Sequence, residues 1–374
     1  MIDRILENSI KNHLGSGKAV ILIGPRQVGK TTLLENLSRS YGKRALMVNC
    51  DEPDMRSLLQ NKTSSELKTL TGNHDLIIID EAQRVKNIGI SLKLIIDQIK
   101  NVQLIVSGSS ALELANEINE PLTGRKWEFI MYPLSVQEMI AHHSAIEEKR
   151  QLTNRLLYGM YPDVINHPGM EKEVLKNLTD SYLYKDLFAF RDVRKPEVIE
   201  KILQALSLQI GSEVSYNEIA DLVKSDPMTV SRYIDLLEKT MVIYRLPAFS
   251  RNLRNELKKS RKIFFYDNGV RNAIIANFQP LDLRKDVGAL WENFLLSERL
   301  KYTQYNNIWS NRYFWRTKQQ QEIDYIEDRD GRLHAFEFKW STSKKTKPST
   351  TFTKAYPESE FTLVTTDNYL SFIS

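Results

Sequence analysis

Nine consecutive residues constrain this chain more than any other stretch. Gly24-Pro25-Arg26-Gln27-Val28-Gly29-Lys30-Thr31-Thr32 fits G-x-x-x-x-G-K-[ST], follows the apolar run AVILI and precedes Leu33-Leu34. A strand, a glycine-bounded loop and then a helix is the context in which this motif works. The turning loop aims backbone N–H groups at a triphosphate, Lys30 places its charge at the β and γ phosphates, and the Thr31 hydroxyl is available to Mg²⁺. A chance match is expected in roughly one chain in a hundred of this length, and less often once the flanks count. Residues Gly24 to Thr32 are therefore expected to cradle ATP.

Such a loop needs a sheet behind it. From Ala19 to about Met131 the runs AVILI, ALMVN, LIIID, LIVSG and WEFIM alternate with amphipathic stretches, the pattern of a parallel sheet covered by helices. LIIID ends in Asp80-Glu81. Downstream of a P-loop, Asp80 is expected to hold Mg²⁺ through water and Glu81 to polarise the attacking water; the bland alternative is a strand meeting solvent. The next strand ends in Ser107-Gly108-Ser109-Ser110, where Ser107 or Ser109 is a candidate γ-phosphate sensor or merely caps the helix at Ala111. Arg125, just before WEFIM, is a candidate contact to a phosphate of its own subunit or of a neighbour in a homo-oligomer; the alternative is a solvated loop arginine.

At 374 residues the chain has room for two or three compact units. Residues 135–190 read as helical, interrupted at Tyr161-Pro162 and Pro168. Ser215-Tyr-Asn-Glu218 is a capping box, and Asp226-Pro227 opens a further helix, giving helix-turn-helix spacing over 216–223 and 228–239. On the second helix Thr229, Ser231, Arg232 and Asp235 are expected outward, with Val230, Ile234 and Leu237 inward. Arg245, Arg251, Arg254, Lys258, Lys259, Arg261 and Lys262 follow against Glu256 alone, so 244–266 reads as a basic two-stranded wing whose 251–262 part tracks a DNA backbone, or as a solvated basic face.

Asp330-Gly331 is a strong two-residue hairpin turn. Residues paired across it sum to 661, which puts Asp324 opposite Glu337, with Lys339 on the same face. Opposed carboxylates need a cation between them. Mg²⁺ or Mn²⁺ on Asp324 and Glu337 would serve, with Glu292 of the preceding helix as a further ligand and Lys339 orienting a water for phosphodiester hydrolysis. The alternative is a charged, solvent-facing hairpin. The pattern resembles the PD-(D/E)XK nuclease signature.

GPRQVGKTT, DEAQ, SGSS, LTGR, YPLSVQEM, GMYPDV, EIDYI and FEFKW together resemble the prokaryotic AAA-type ATPases that carry an uncharacterised, restriction-endonuclease-like C-terminal domain. The resemblance covers nearly the whole chain and implies an α/β fold: a P-loop NTPase (AAA-like) domain over 1–134, a helical connector over 135–193, a winged helix over 194–280 and a small nuclease-like domain over 281–374. Where better-known AAA proteins have a sensor asparagine, this chain has serines. The expected function is an ATPase coupling nucleotide state to DNA binding and cleavage; the rival is a nucleotide switch with slow hydrolysis and an inert nuclease-like scaffold.

Composition excludes other classes. A single cysteine, Cys50, rules out disulfide frameworks and Cys-rich zinc sites. Asp3 and Glu7 do not suit a signal peptide, and no apolar run approaches 18 residues. The chain is thus expected to be cytoplasmic, without membrane partners. A net charge of +5, with 26% charged and 41% hydrophobic residues, is close to an ordinary globular average, which excludes disordered and fibrous classes.

Overall fold

A buried parallel strand shows solvent neither face, and the apolar runs of the first third meet that requirement. The computed structural model describes residues 2–108, 118, 120–183, 193, 195–250, 261–341 and 347–374, with backbone alone for 181–183. The chain divides into two compact units, residues 1–134 with 239–241, and residues 135–238 with 242–374.

In the first unit α1 (Ile5–Lys11) leads into β1 (Ala19–Ile23), α2 (Lys30–Tyr41), β2 (Ala45–Asn49), α3 (Pro53–Leu59), α4 (Ser64–Thr71), β3 (Leu76–Asp80), α5 (Ile88–Gln98), β4 (Gln103–Gly108) and β5 (Lys126–Ile130). The five strands form one sheet in the order β2-β3-β4-β1-β5, with every pairing parallel. Each of the five expected apolar runs is one of these strands. The central β1, β3 and β4 are buried throughout, whereas the edge strands β2 and β5 are half-exposed. Ile21, Ile23, Ile77, Ile79 and Val106 line a core that Leu67, Ile88, Leu92 and Ile95 close from α4 and α5. Burying each such side chain contributes about 1.5–3 kcal/mol. The strand order matters for chemistry because it sets β4 between the strand before the P-loop and the strand ending in Asp80.

The second unit begins with α6 (Val136–His142), α7 (Ala145–Arg150), α8 (Leu152–Tyr158), α9 (Pro162–Asn166), α10 (Glu171–Asn177) and a π-helical stretch, Leu178–Leu183. It continues with α11 (Pro196–Leu208), β6 (Glu213–Val214), α12 (Tyr216–Val223), α13 (Pro227–Lys239), β7 (Ile243–Pro247), β8 (Arg261–Phe265) and α14 (Asn268–Ile274), the strands forming a sheet in the order β6-β8-β7. Last come α15 (Val287–Tyr305), β9 (Asn311–Arg316), β10 (Glu322–Arg329), β11 (Arg332–Phe338), α16 (Thr350–Ala355), β12 (Glu360–Val364) and α17 (Leu370–Ile373). Their four strands run β12-β11-β10-β9, antiparallel except for β11 with β12. Phe352 of α16 packs with Trp315, Ile323, Ile326 and Ala335 on one face of this sheet. No helix among the described residues is long and apolar enough to cross a membrane.

Gly159-Met160-Tyr161-Pro162 has a packing reason. Asp267 is buried, its carboxylate raised above the usual range by burial, and it accepts N–H groups from Met160 at 2.6 Å and from Val270, at the start of α14, at 3.0 Å. Gly159 turns the chain past that carboxylate at φ 74°, and a Cβ there would stand 2.0 Å from Asp267 Oδ1. Gly159→Ala therefore combines left-handed strain with a clash, and should cost about 2 kcal/mol or more. Thermal unfolding checks this: an unchanged midpoint would show that the approach is not close.

Candidate functional site

The P-loop leaves β1 at the sheet's C-terminal edge, where β3 and β4 also end. Its first residue is fixed by space: a Cβ on Gly24 would lie 2.3 Å from the Met131 carbonyl oxygen, which follows β5, while Met131 donates its N–H to Ile23. Pro25 and Val28 are buried, Arg26 is half-buried and Gln27 is exposed at the crest with φ 60°. Gly29 caps the N-terminus of α2, so Lys30, Thr31 and Thr32 form its first turn. Lys30 is buried, its Nζ donating to the carbonyls of Gly24 at 2.9 Å and Pro25 at 2.8 Å. The ammonium is thus held inside the curve of the loop, where phosphate oxygens would meet it.

Thr31 and Asp80 come together although 49 residues separate them: Thr31 Oγ1 donates to Asp80 Oδ2 at 2.7 Å. Asp80 Oδ1 accepts from Ser107 Oγ and from the Glu81 N–H at 3.1 Å. Ser107 is fully buried and donates its hydroxyl proton to Asp80. Ser109 and Ser110 lie outside the described residues. Glu81 stands in the left-handed region at φ 54°, and its Oε2 accepts from Gln83 Nε2 at 2.6 Å, leaving the carboxylate half-buried beside Asp80. A hydroxyl and a carboxylate within hydrogen-bond distance at a helix start are hard oxygen donors of the kind Mg²⁺ takes with a nucleotide.

Two residues bear differently on this site from the sequence reading. Arg125 precedes β5, whose Lys126 pairs with Ala19 at the start of β1. Five residue steps at about 3.3 Å, from Arg125 to Ile130 opposite Ile23, put it roughly 17 Å along the sheet from the P-loop end. Parallel strands all start on the edge opposite the P-loop, so Arg125 stands away from its own P-loop. Its Nε donates instead to Asp97 at 2.8 Å. Arg4, which no motif marks, donates to the carbonyls of Val28 and Tyr132, both at 2.6 Å, and so ties the P-loop to the chain after β5. Its partners lie 24 and 128 residues away, beyond any local pattern.

In the second unit the hairpin register is as the turn dictates: pairs run from Arg329↔Arg332 to Tyr325↔Phe336, each summing to 661, around Asp330 and Gly331, both at positive φ. Between Ile323 and Ile326 the pairing of β10 with β9 shifts by one residue. Such a bulge re-aims side chains, and the Asp324 carboxylate accepts the Phe338 N–H at 2.8 Å. Lys339 Nζ donates to Glu337 Oε1 at 2.7 Å. Glu292 is met by Lys262 Nζ at 3.0 Å, and the same ammonium lies 2.5 Å from Glu322.

The carboxylates of Asp324, Glu337 and Glu292 lie near enough that Glu292 and Glu337 act on the charge of Asp324. Among the described residues no three His, Cys, Asp or Glu side chains are placed to share an ion. Each carboxylate has a donor from the chain itself. Lys262, read in sequence as part of a DNA-tracking segment, is buried among acids, so that part of the reading is corrected. The carboxylates around it outweigh the effect of burial and raise its pKa. Burial, then Glu292 and Glu337, push Asp324 up to about 8, and burial also raises Glu292 against the pull of Lys262. Arg245 pairs with Asp235 at 2.6 Å and with Glu238. Arg261 reaches the Tyr216 hydroxyl at 3.5 Å. Residues 251–260 and Lys344 lie outside the described residues. Ser215 caps α12 and Asp226 caps α13, while Val230, Ile234 and Leu237 are buried and Arg232 is exposed, as the helical pattern requires.

With this geometry in place, comparison with known proteins gives three matches along the chain. Residues 16–140 match an AAA domain, and residues 149–281 and 287–373 match two domains of unknown function. An uncharacterized protein of Mycobacterium tuberculosis is 27% identical over 335 residues, spanning 88% of this chain and 72% of that one. An uncharacterized protein of Methanocaldococcus jannaschii is 22% identical, spanning 86% and 75%. The replication factor C large subunit of Thermofilum pendens is 23% identical, spanning 67% and 57%. The AAA-domain match and the parallel sheet with its P-loop support an AAA-type P-loop NTPase fold for the first unit.

Because the folded state raises the Asp324 pKa, the stability that this proton lends is complete below about pH 4 and is lost as pH rises through about 8. Asparagine mimics the protonated acid. Asp324→Asn should match the wild type in thermal midpoint near pH 4 and exceed it by at least ~2 °C at pH 9. A difference that does not grow with pH would refute the burial of this group.

Proposed function

We propose that the chain is an ATP-binding ATPase that couples its nucleotide state to contact with DNA. The observation that carries the ATPase reading is the Thr31–Asp80 hydrogen bond, which joins the P-loop hydroxyl to the acid at the end of β3. Thr31 and Asp80 would hold Mg²⁺, whose contribution when bound is to neutralise charge on the β and γ phosphates. Lys30 binds those phosphates from within the loop, Ser107 fixes the Asp80 rotamer, and Glu81, held by Gln83, orients and deprotonates the attacking water. For Arg125, a phosphate of a neighbouring subunit is the remaining phosphate role.

The DNA part of the proposal is supported by element order. α11, β6, α12, α13, β7 and β8 follow the order of a winged helix, with α13 as its recognition helix and Arg232 on its exposed side. Residues 281–374 are read as a nuclease-like fold, and the connector as 135–193. For that fold we favour an inert scaffold over cleavage, because two of the three expected metal ligands already hold a lysine, Glu292 with Lys262 and Glu337 with Lys339.

ATP turnover by the full chain, with and without duplex DNA at several salt concentrations, tests the coupling. DNA-stimulated turnover that weakens with salt is expected; slow turnover indifferent to DNA would move the protein to a nucleotide switch. Lys30→Ala should abolish ATP binding. Glu81→Gln should bind ATP with near wild-type affinity and hydrolyse it about 100-fold more slowly or worse. Equal loss of affinity in both variants would overturn these roles.

A further inference from the structure

We infer that the ammonium of Lys262 takes the place of a divalent cation at the carboxylate centre of the second unit, so that this centre is built without metal. The inference is independent of the ATP reading. A metal in such a centre relieves repulsion between acids brought from different elements, and Lys262 does this: one Nζ lies 3.0 Å from Glu292 of α15 and 2.5 Å from Glu322 of β10. Lys339 pairs with the single acid Glu337, and one Asp324 oxygen accepts the Phe338 N–H.

Three features make the lysine a built-in counterion. It is buried, and an ammonium tolerates such a place only when acids surround it. Its backbone is fixed in the middle strand of the three-stranded sheet, opposite Glu213 of β6 and Leu246 of β7. Its charge lies 5.5 Å from the centre of the Phe314 ring, which adds a cation–π contact. A free ion would have to displace a cation that is covalently tethered beside its acids, and the tether gives that cation a standing advantage. The two ion pairs also fasten β8 to α15 and β10, so the chain's own cation has a joining role.

Mn²⁺ without nucleotide is the probe, read by thermal unfolding and by titration calorimetry on the full chain. The wild type should show no Mn²⁺-dependent stabilisation that Glu292→Gln removes. Lys262→Met should be less stable and should gain a Mn²⁺ response absent from the wild type, at least ~3 °C at 100 times its Kd. Lys262→Met with Glu292→Gln should recover stability without Mn²⁺ and lose that response. A wild type stabilised by Mn²⁺, with the effect abolished by Glu292→Gln, overturns the inference. So does a folded Lys262→Met that responds to Mn²⁺ no more than the wild type. If Lys262→Met does not fold at all, the wild-type and Glu292→Gln comparison decides.

Discussion

A carboxylate cannot be buried without donors, and the first unit is arranged around one that is. Asp80 ends a fully buried strand and is itself buried, so burial is affordable only because three elements bring hydrogen bonds to it: Thr31 from α2, Ser107 from β4 and the Glu81 N–H from its own turn. Leaving such a group unpaired would cost several kcal/mol. The strand order satisfies this need. With β4 between β1 and β3, the hydroxyl at the start of the P-loop helix and the serine at the end of β4 both reach the acid. The same bonds that stabilise the sheet edge thus preset the hydroxyl and carboxylate that a nucleotide-bound Mg²⁺ would require.

The same rule operates separately in the second unit, with a different solution. Glu292, Glu322, Asp324 and Glu337 come from a helix and two strands, and cations that meet acids of this group include Lys262, Lys339 and Arg316. Acids at a hairpin beside a helix invite comparison with a metal centre. What distinguishes this one is a lysine from a neighbouring strand inside the cluster, which on the inference above would serve charge-balanced packing rather than metal-assisted hydrolysis.

Much of this was legible in the sequence because the signals are local. Five apolar runs became the five strands of the first sheet, and Asp330-Gly331 set the hairpin pairing by arithmetic, because a two-residue turn leaves no freedom of register. What escaped were pairings between distant residues. Arg4 with Val28 and Tyr132, and Lys262 with Glu292 and Glu322, join segments that no periodicity connects. Lys262 stood in a basic run and so read as surface, yet it is followed by the apolar Ile263-Phe264-Phe265, a sign that its strand is internal. For Arg125 the topology adds what the sequence left open: parallel strands all begin on one edge and the P-loop lies on the other, so the start of β5 is distant from its own P-loop.

The central claim is that Thr31 and Asp80 together form a Mg²⁺-nucleotide site. ATP affinity measured by calorimetry with Mg²⁺ and with chelator, for the wild type and for Asp80→Asn, tests it most directly. Mg²⁺ should tighten ATP binding in the wild type, and Asp80→Asn should remove this gain while retaining ATP binding in chelator. Wild-type affinity indifferent to Mg²⁺, or a Mg²⁺ gain that survives in Asp80→Asn, would contradict it.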